Sequence, residues 1–382
     1  MRSIGIAGIA ILLAVGSANA GLYSPDEPFN FEIDSEGNAK PLQFAGGFES
    51  IVATLRQAAI VPRTPEEPVN ATRQQYLDRV AQRRMKGVAS LSPEELAGYT
   101  SDLIRVNRAG EALNILQPLA RDPRRGGFLA YAHLATAHAA TAGWREGLDQ
   151  QQMAVRYSDF PTSFAKLSKT QLAWLKRVER DYYLPFLSNR ADDARGKRSR
   201  DLREEVDPLF PLSASAKKTE PAVRYVGEDG EYVAGSIAAA EKKKLPADAL
   251  AIVQQLVLWH PQDARLYWLL GELYNAEGDI ESAMRILDHC SFNMAYSNPI
   301  LIRHRQILQQ AMTAISAQRA AEAEQARQAE AEEKERELQA ERERQKRKWW
   351  IISIAVGLGV LLLFYQLRET VRRLSRARAS AN

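Results

Sequence analysis

Cysteine is almost absent. Cys290 stands alone among 382 residues, so no internal disulfide can form, and at a helix-packing position it reads as a small buried apolar residue. Histidine is scarce, with five in all. His133 and His138 lie five apart on a helical stretch, which puts their rings on different faces, whereas a zinc-binding i, i+4 pair shares one. No CxxC, GxSxG, GxxxxGK(S/T) or GxGxxG stands between a strand and a helix, and no run of alternating strands would carry one. No catalytic, metal or cofactor residue is therefore expected, and the chain does not read as an enzyme. Glycine and proline are missing from Ala314 to Lys348, and charge is missing from Trp349 to Leu367. The first gap permits a long unbroken helix and the second a membrane span.

The ends follow from these patterns. Arg2, an apolar run from Ile4 to Val15, and Ala18-Asn19-Ala20 make a secretory signal peptide over 1–20, with a mature start at Gly21. Trp349 to Leu367 has the length a bilayer requires and is read as one transmembrane helix (349–367), with Trp349, Trp350 and Tyr365 at its boundaries. Arg368, Arg372, Arg373, Arg376 and Arg378 crowd the tail over 368–382 and argue for a cytoplasmic side; Lys346, Arg347 and Lys348 weaken that argument, and the signal peptide decides it. The chain is thus expected in the cytoplasmic (inner) membrane, with its bulk in the periplasm or another extracytoplasmic space. The net charge of +4 gathers largely at these flanks, so lipid headgroups explain it without a nucleic-acid partner.

Between the ends, Ala249, Val253 and Leu256 recur 34 residues later as Ala283, Leu287 and Cys290, around Tyr267-x2-Leu270-Gly271-x2-Tyr274 and with Pro261 between them. This pattern resembles the tetratricopeptide repeat (TPR) family, whose unit is a helix-turn-helix. A fainter echo runs through Ala112-x3-Leu116, Tyr131-x2-Leu134-Ala135-x2-His138 and Gly147, with the register slipped by one. The fold class expected is all-α: TPR-like helical hairpin repeats (an α-solenoid) in two arrays, a long charged helix and a single transmembrane helix. An N-terminal arm and helices fill 21–91, with helices over 48–60 and 72–85. The first array spans 92–187, opened by the Ser92-Pro93-Glu94-Glu95 cap and closed by a helix from Thr162 to Leu187, interrupted near Pro185. A polar linker covers 188–228, in which Asp207 to Leu212 is apolar enough to dock in a groove. The second array, 229–313, begins with a helix from Gly230 to Lys244. The stalk (314–348) carries few apolar residues besides alanine and no steady heptad, so a lone charged helix is expected over a coiled coil.

The resemblance implies a protein-binding role, in which extended peptides or helices lie along the concave face made by the first helix of each unit. On the best unit that face carries Arg265, Trp268, Glu272 and Asn275, the expected partner-binding residues. The paired Lys/Asn constellation with which some TPRs hold a terminal carboxylate is missing, because Glu231, Ala234, Ala238 and Glu241 occupy the equivalent surface. Truncating Trp268 and Arg265 together is expected to strip partners while leaving the melting temperature unchanged. Two other functions compete with the adaptor. One is a membrane spacer or homo-oligomer organiser acting through the stalk and the small-x3-small pairs Ser353/Gly357 and Ala355/Gly359. The other is an envelope enzyme within the amino-terminal helices.

Overall fold

The computed structural model describes residues 22–27, 31–122, 127–196, 206–211 and 221–379. The signal segment, its cut at Gly21 and Leu212 of the docking segment fall outside the described residues. Among those described, an isolated bridge between Ile33 and Ala39 is the one β pairing, and the rest of the regular structure is helical.

The helices are α1 (Glu49–Ala59), α2 (Ala71–Lys86), α3 (Pro93–Arg105), α4 (Ala109–Ala120), α5 (Phe128–Ala140), α6 (Trp144–Tyr157), α7 (Lys169–Val178), α8 (Leu184–Ala194), α9 (Ala239–Lys242), α10 (Ala249–Trp259), α11 (Ala264–Ala276), α12 (Ile280–Asp288) and α13 (Pro299–Ala379). Their starts follow local chemistry. Ser92 accepts the Glu95 N–H while the Glu95 carboxylate accepts the Ser92 N–H, so two otherwise free amides are satisfied at the head of α3. Asp263 and Asp279 cap α11 and α12 in the same sense. Between those two, Gly278 takes a φ of +87°, which lets the Asp279 N–H reach the Tyr274 carbonyl at 3.0 Å.

Two compact units divide the chain, Met1–Met312 and Thr313–Asn382. Both expected arrays lie in the first. They are joined by buried polar contacts: the Arg105 guanidinium of α3 donates to the Leu258 carbonyl of α10 at 2.7 Å, and the Asp248 carboxylate accepts from Trp174 Nε1 of α7 at 2.7 Å and from Arg177. The Gln254 side chain pairs with both backbone groups of Leu42 at 2.8 Å, so the amino-terminal region ties into the later helices.

Three expectations are corrected here. The arm is core rather than a loose extension: Leu22, Tyr23 and Ser24 are wholly buried, and the Tyr23 ring meets Phe128 and Phe164 edge-on. The helix expected from Thr162 starts only at Lys169, and Pro185 does not interrupt it, because a wider π-turn at Glu179–Tyr183 leads directly into α8. The helix expected over Gly230 to Lys244 shrinks to the four residues of α9. Gly230 and Gly235 take φ values of +81° and +80°, which a helix cannot contain.

Tyr23 carries a pH signature. Its hydroxyl donates to Glu179 Oε1 at 3.0 Å and Gln151 Nε2 donates to Oε2 at 2.6 Å, yet burial dominates and pushes the Glu179 carboxyl up to about 8. The native state therefore holds a proton that the unfolded chain releases near 4.5, and stability falls as pH rises towards 8. His133 and His260, lowered by burial to about 3 and about 4, act in the opposite sense but only below their ordinary 6.5. Denaturant midpoints should thus decline between pH 6.5 and 8 in the wild type and stay level in Glu179→Gln. The introduced amide can donate to Gln151 Oε1, which is buried without a partner, once the Gln151 amide turns over. A decline of equal size in both proteins would assign the effect elsewhere.

In the second unit the helix α13 continues to Ala379, and every described side chain from Ser316 to Thr370 is exposed. Lys334 pairs with Glu330 at 2.8 Å and Arg336 with Glu332 at 3.4 Å, the i, i+4 geometry of a solvated helix. This is the one helix among the described residues long and apolar enough to cross a membrane.

Candidate interaction groove

The unit built from α11 and α12 packs around small residues. A Cβ placed on Gly271 would sit 2.2 Å from Leu287 Cδ1 and 3.1 Å from Ile286 Cγ2, and Ala283 is wholly buried, so the two helices meet where neither tolerates bulk. Tyr267, Leu270 and Tyr274 fill the layer around that contact. The Arg56 guanidinium covers the Tyr267 ring at 4.3 Å, and Gln254 Nε2 donates to the Tyr274 hydroxyl at 2.7 Å.

Once Gly271 is fixed inward, the helical repeat sets Arg265, Trp268, Glu272 and Asn275 on the face of α11 beside the packing residues. The structure brings these four together along one face, as expected. It does not leave that face open, which corrects the expectation of a free groove: Trp268, Glu272 and Asn275 are wholly buried and Arg265 nearly so. The cover is the chain itself: Asp207 and the stretch around Val233 from before α9, and Tyr296 and His304 from after α12. Asp207, Leu209 and Phe210 are buried, so the segment expected to dock does dock.

Each of the four grips a specific part of that cover or of α13. Arg265 pairs with Asp193 at 2.8 Å and with Asp207 at 2.7 Å. Beside it Arg190 forms a fork onto Asp207 at 2.8 and 2.9 Å and reaches Asp263 at 2.7 Å. Burial works against the Asp263 charge, but Arg190 and the Leu266 N–H outweigh it and hold its carboxyl below the ordinary value. Further along, Glu272 Oε1 accepts from Trp268 Nε1 at 2.5 Å and from His304 Nδ1 of α13 at 2.8 Å. The His304 ring stacks on Tyr232 with centroids 3.7 Å apart. Asn275 ends the row by pairing with backbone: its Nδ2 donates to the Val233 carbonyl at 2.9 Å and its Oδ1 accepts the Gly235 N–H at 2.6 Å.

Sequence reasoning missed Tyr232, His304 and Arg190. Three glycines at 227, 230 and 235 were the available signal for Tyr232, since each weakens a helix by about 1 kcal/mol and together they mark a looped segment. His304 and Arg190 carry no local signature, because their partners are 32 and up to 73 residues away.

A second concavity of about 500 Å³ lies among Leu55, Ile60, Ile104, Trp144, Trp259 and His260. Its charged rim is committed to the fold. Arg56 donates to the Pro261 carbonyl, Arg105 to the Leu258 carbonyl, Asp263 is held by Arg190, and burial keeps His260 neutral beside the Tyr183 hydroxyl.

The fold and groove together define an all-helical repeat scaffold. Residues 242–291, which run from the end of α9 into the turn after α12, match the family model of the tetratricopeptide repeat, and the match supports that family for this segment. No curated protein and no solved structure matches the chain.

Proposed function

We propose that the protein is a membrane-anchored adaptor that holds other proteins on its helical-repeat unit in the periplasm or another extracytoplasmic space. Export directed by residues 1–20, one span over 349–367 and a short basic tail in the cytoplasm complete this reading. The observation that carries it is the α11 face, where Arg265 pairs with Asp207 and Asn275 holds the backbone at Val233 and Gly235, while Trp268 and Glu272 build the wall beside them with Tyr296 and His304. That is the chemistry with which a TPR groove recognises a peptide, and it lies within the segment that matches the family. The role needs no cofactor, metal or catalytic group. A spacer or oligomer organiser is the second reading, favoured by α13, whose surface from Ser316 to Thr370 is exposed and open to a second copy.

Crosslinking in intact membranes, followed by mass spectrometry, distinguishes them. The adaptor reading expects crosslinks from residues 22–312 to other proteins; crosslinks confined to α13 of a second copy would establish the organiser instead. In spheroplasts, added protease should digest the repeat unit and spare an epitope fused after Asn382. A protected repeat unit with a lost epitope would reverse the orientation.

A further inference from the structure

The segment lying on the groove has the features of a ligand. Between Gly227 and Ala238 it forms no helix, and its own backbone bonds are turns: Gly227 N–H to Glu231 O at 2.7 Å, Gly230 N–H to Gly227 O at 3.0 Å and Ala238 N–H to Val226 O at 2.8 Å, with the Glu231 N–H on Asp229 Oδ1 at 3.0 Å. Residues 231–235 are also held by the groove. Asn275 reads one carbonyl and one N–H, as it would on any extended peptide; the Tyr232 ring fills a slot closed by His304; Arg303 pairs with Glu231 at the rim at 2.7 Å. Tyr232 is 7% exposed while its neighbour Val233 is 37% exposed, so one side chain is anchored and the next faces water. Such alternation is how an extended peptide sits on a receptor.

We infer that residues 231–235 are a built-in ligand that keeps the repeat groove closed, and that the partner is an extended protein segment carrying an aromatic residue followed three positions later by glycine, which takes their place. The inference rests on the adaptor reading and names what that reading left open. The spacing comes from the contacts: the aromatic ring at 232, a free carbonyl at 233, and an N–H at 235 where φ is +80°. Proline at the last position would forfeit the bond to Asn275, and a side chain there would be strained. Displacement is an exchange of like contacts, so the groove is never left exposed. The tether sets the threshold, because an attached ligand acts at an effective concentration in the millimolar range and a free competitor must overcome it.

The probe is a fluorescent peptide of residues 226–238, titrated onto the full chain in lipid nanodiscs. Tyr232→Ala empties the slot and leaves Asn275 and His304 in place. This variant is expected to bind the peptide at least tenfold more tightly than the wild type, and Tyr232→Ala with Asn275→Ala is expected to lose that gain. A Tyr232→Ala chain that keeps its helical content but binds no better than wild type would overturn the inference and make the segment a fixed cover. Should Tyr232→Ala fail to fold, hydrogen exchange on the wild type decides. The Gly235 and Ala238 amides should exchange at least tenfold faster than those of α11, and exchange at the α11 rate would show that the segment leaves only on global unfolding. Failure of the adaptor reading looks different: Tyr232→Ala would bind the peptide, yet no other protein would crosslink to residues 22–312 in membranes.

Discussion

Replacing Trp268 by alanine is expected to destabilise the repeat unit by about 3–5 kcal/mol, the usual cost of deleting a large buried aromatic. The indole is wholly buried, lies 6.2 Å from the Tyr296 ring and 6.4 Å from the His304 ring, and donates to the buried Glu272 carboxylate at 2.5 Å. Alanine would therefore leave a cavity and also remove one of the two donors that make a buried carboxylate tolerable. Thermal or denaturant unfolding of the full chain in detergent measures the loss. A melting temperature unchanged from wild type would restore Trp268 to an open surface and contradict the packing described above. Glu272→Arg should be at least as damaging, since it takes the acceptor from Trp268 Nε1 and His304 Nδ1 and puts an unpaired cation in the same buried space.

Those expectations reverse what the repeat register alone implies, and the reversal shows where sequence reading ends. Periodicity identified which way the α11 residues point, because Gly271, Leu270 and Tyr274 fix the inward face and set Arg265, Trp268, Glu272 and Asn275 beside it. Apolar composition marked Asp207 to Leu212 as chain able to dock. What periodicity cannot supply is the destination of that chain. Tyr232 reaches His304 across 72 positions and Arg190 reaches Asp263 across 73, and no local pattern encodes such pairings. The same limit explains the arm. Leu22 and Tyr23 sit in a short stretch punctuated by Pro25 and Pro28, which reads as an extended arm, yet Tyr23 is buried against α5, Phe164 and the π-turn carrying Glu179, and Leu22 in the cluster that holds α3. The helix start set by the cap at Ser92 was legible to the residue, since capping is a contact between near neighbours. The helix expected over Gly230 to Lys244 failed for the complementary reason: repeat spacing was extended through glycines whose backbone freedom the fold uses.

The second large effect belongs to Arg190, where the two arrays and their connection meet. Its guanidinium is shared by Asp207 of the connection and Asp263 at the head of α11, and all three are buried or nearly so. Arg190→Ala would leave two carboxylates with less compensation: Asp207 keeps Arg265, while Asp263 keeps the Leu266 N–H. Breaking a buried pair from one side commonly costs about 3–5 kcal/mol. The pH dependence gives the loss a signature that simple packing damage lacks. In the wild type the Asp263 carboxyl lies below its ordinary value, so its contribution is present above that value and fades as pH falls. Without Arg190 the burial that already opposes the charge prevails, the native carboxyl rises above its unfolded value, and stability should instead improve as pH falls towards 4. Adding Asp263→Asn to Arg190→Ala should recover part of the loss at pH 7, because an amide costs less to bury than an unpaired carboxylate. A double variant no more stable than the single one, with a pH profile parallel to wild type, would mean that Arg190 acts through its packing against the Phe186 ring, 5.0 Å away, and not through its charge on Asp207 and Asp263.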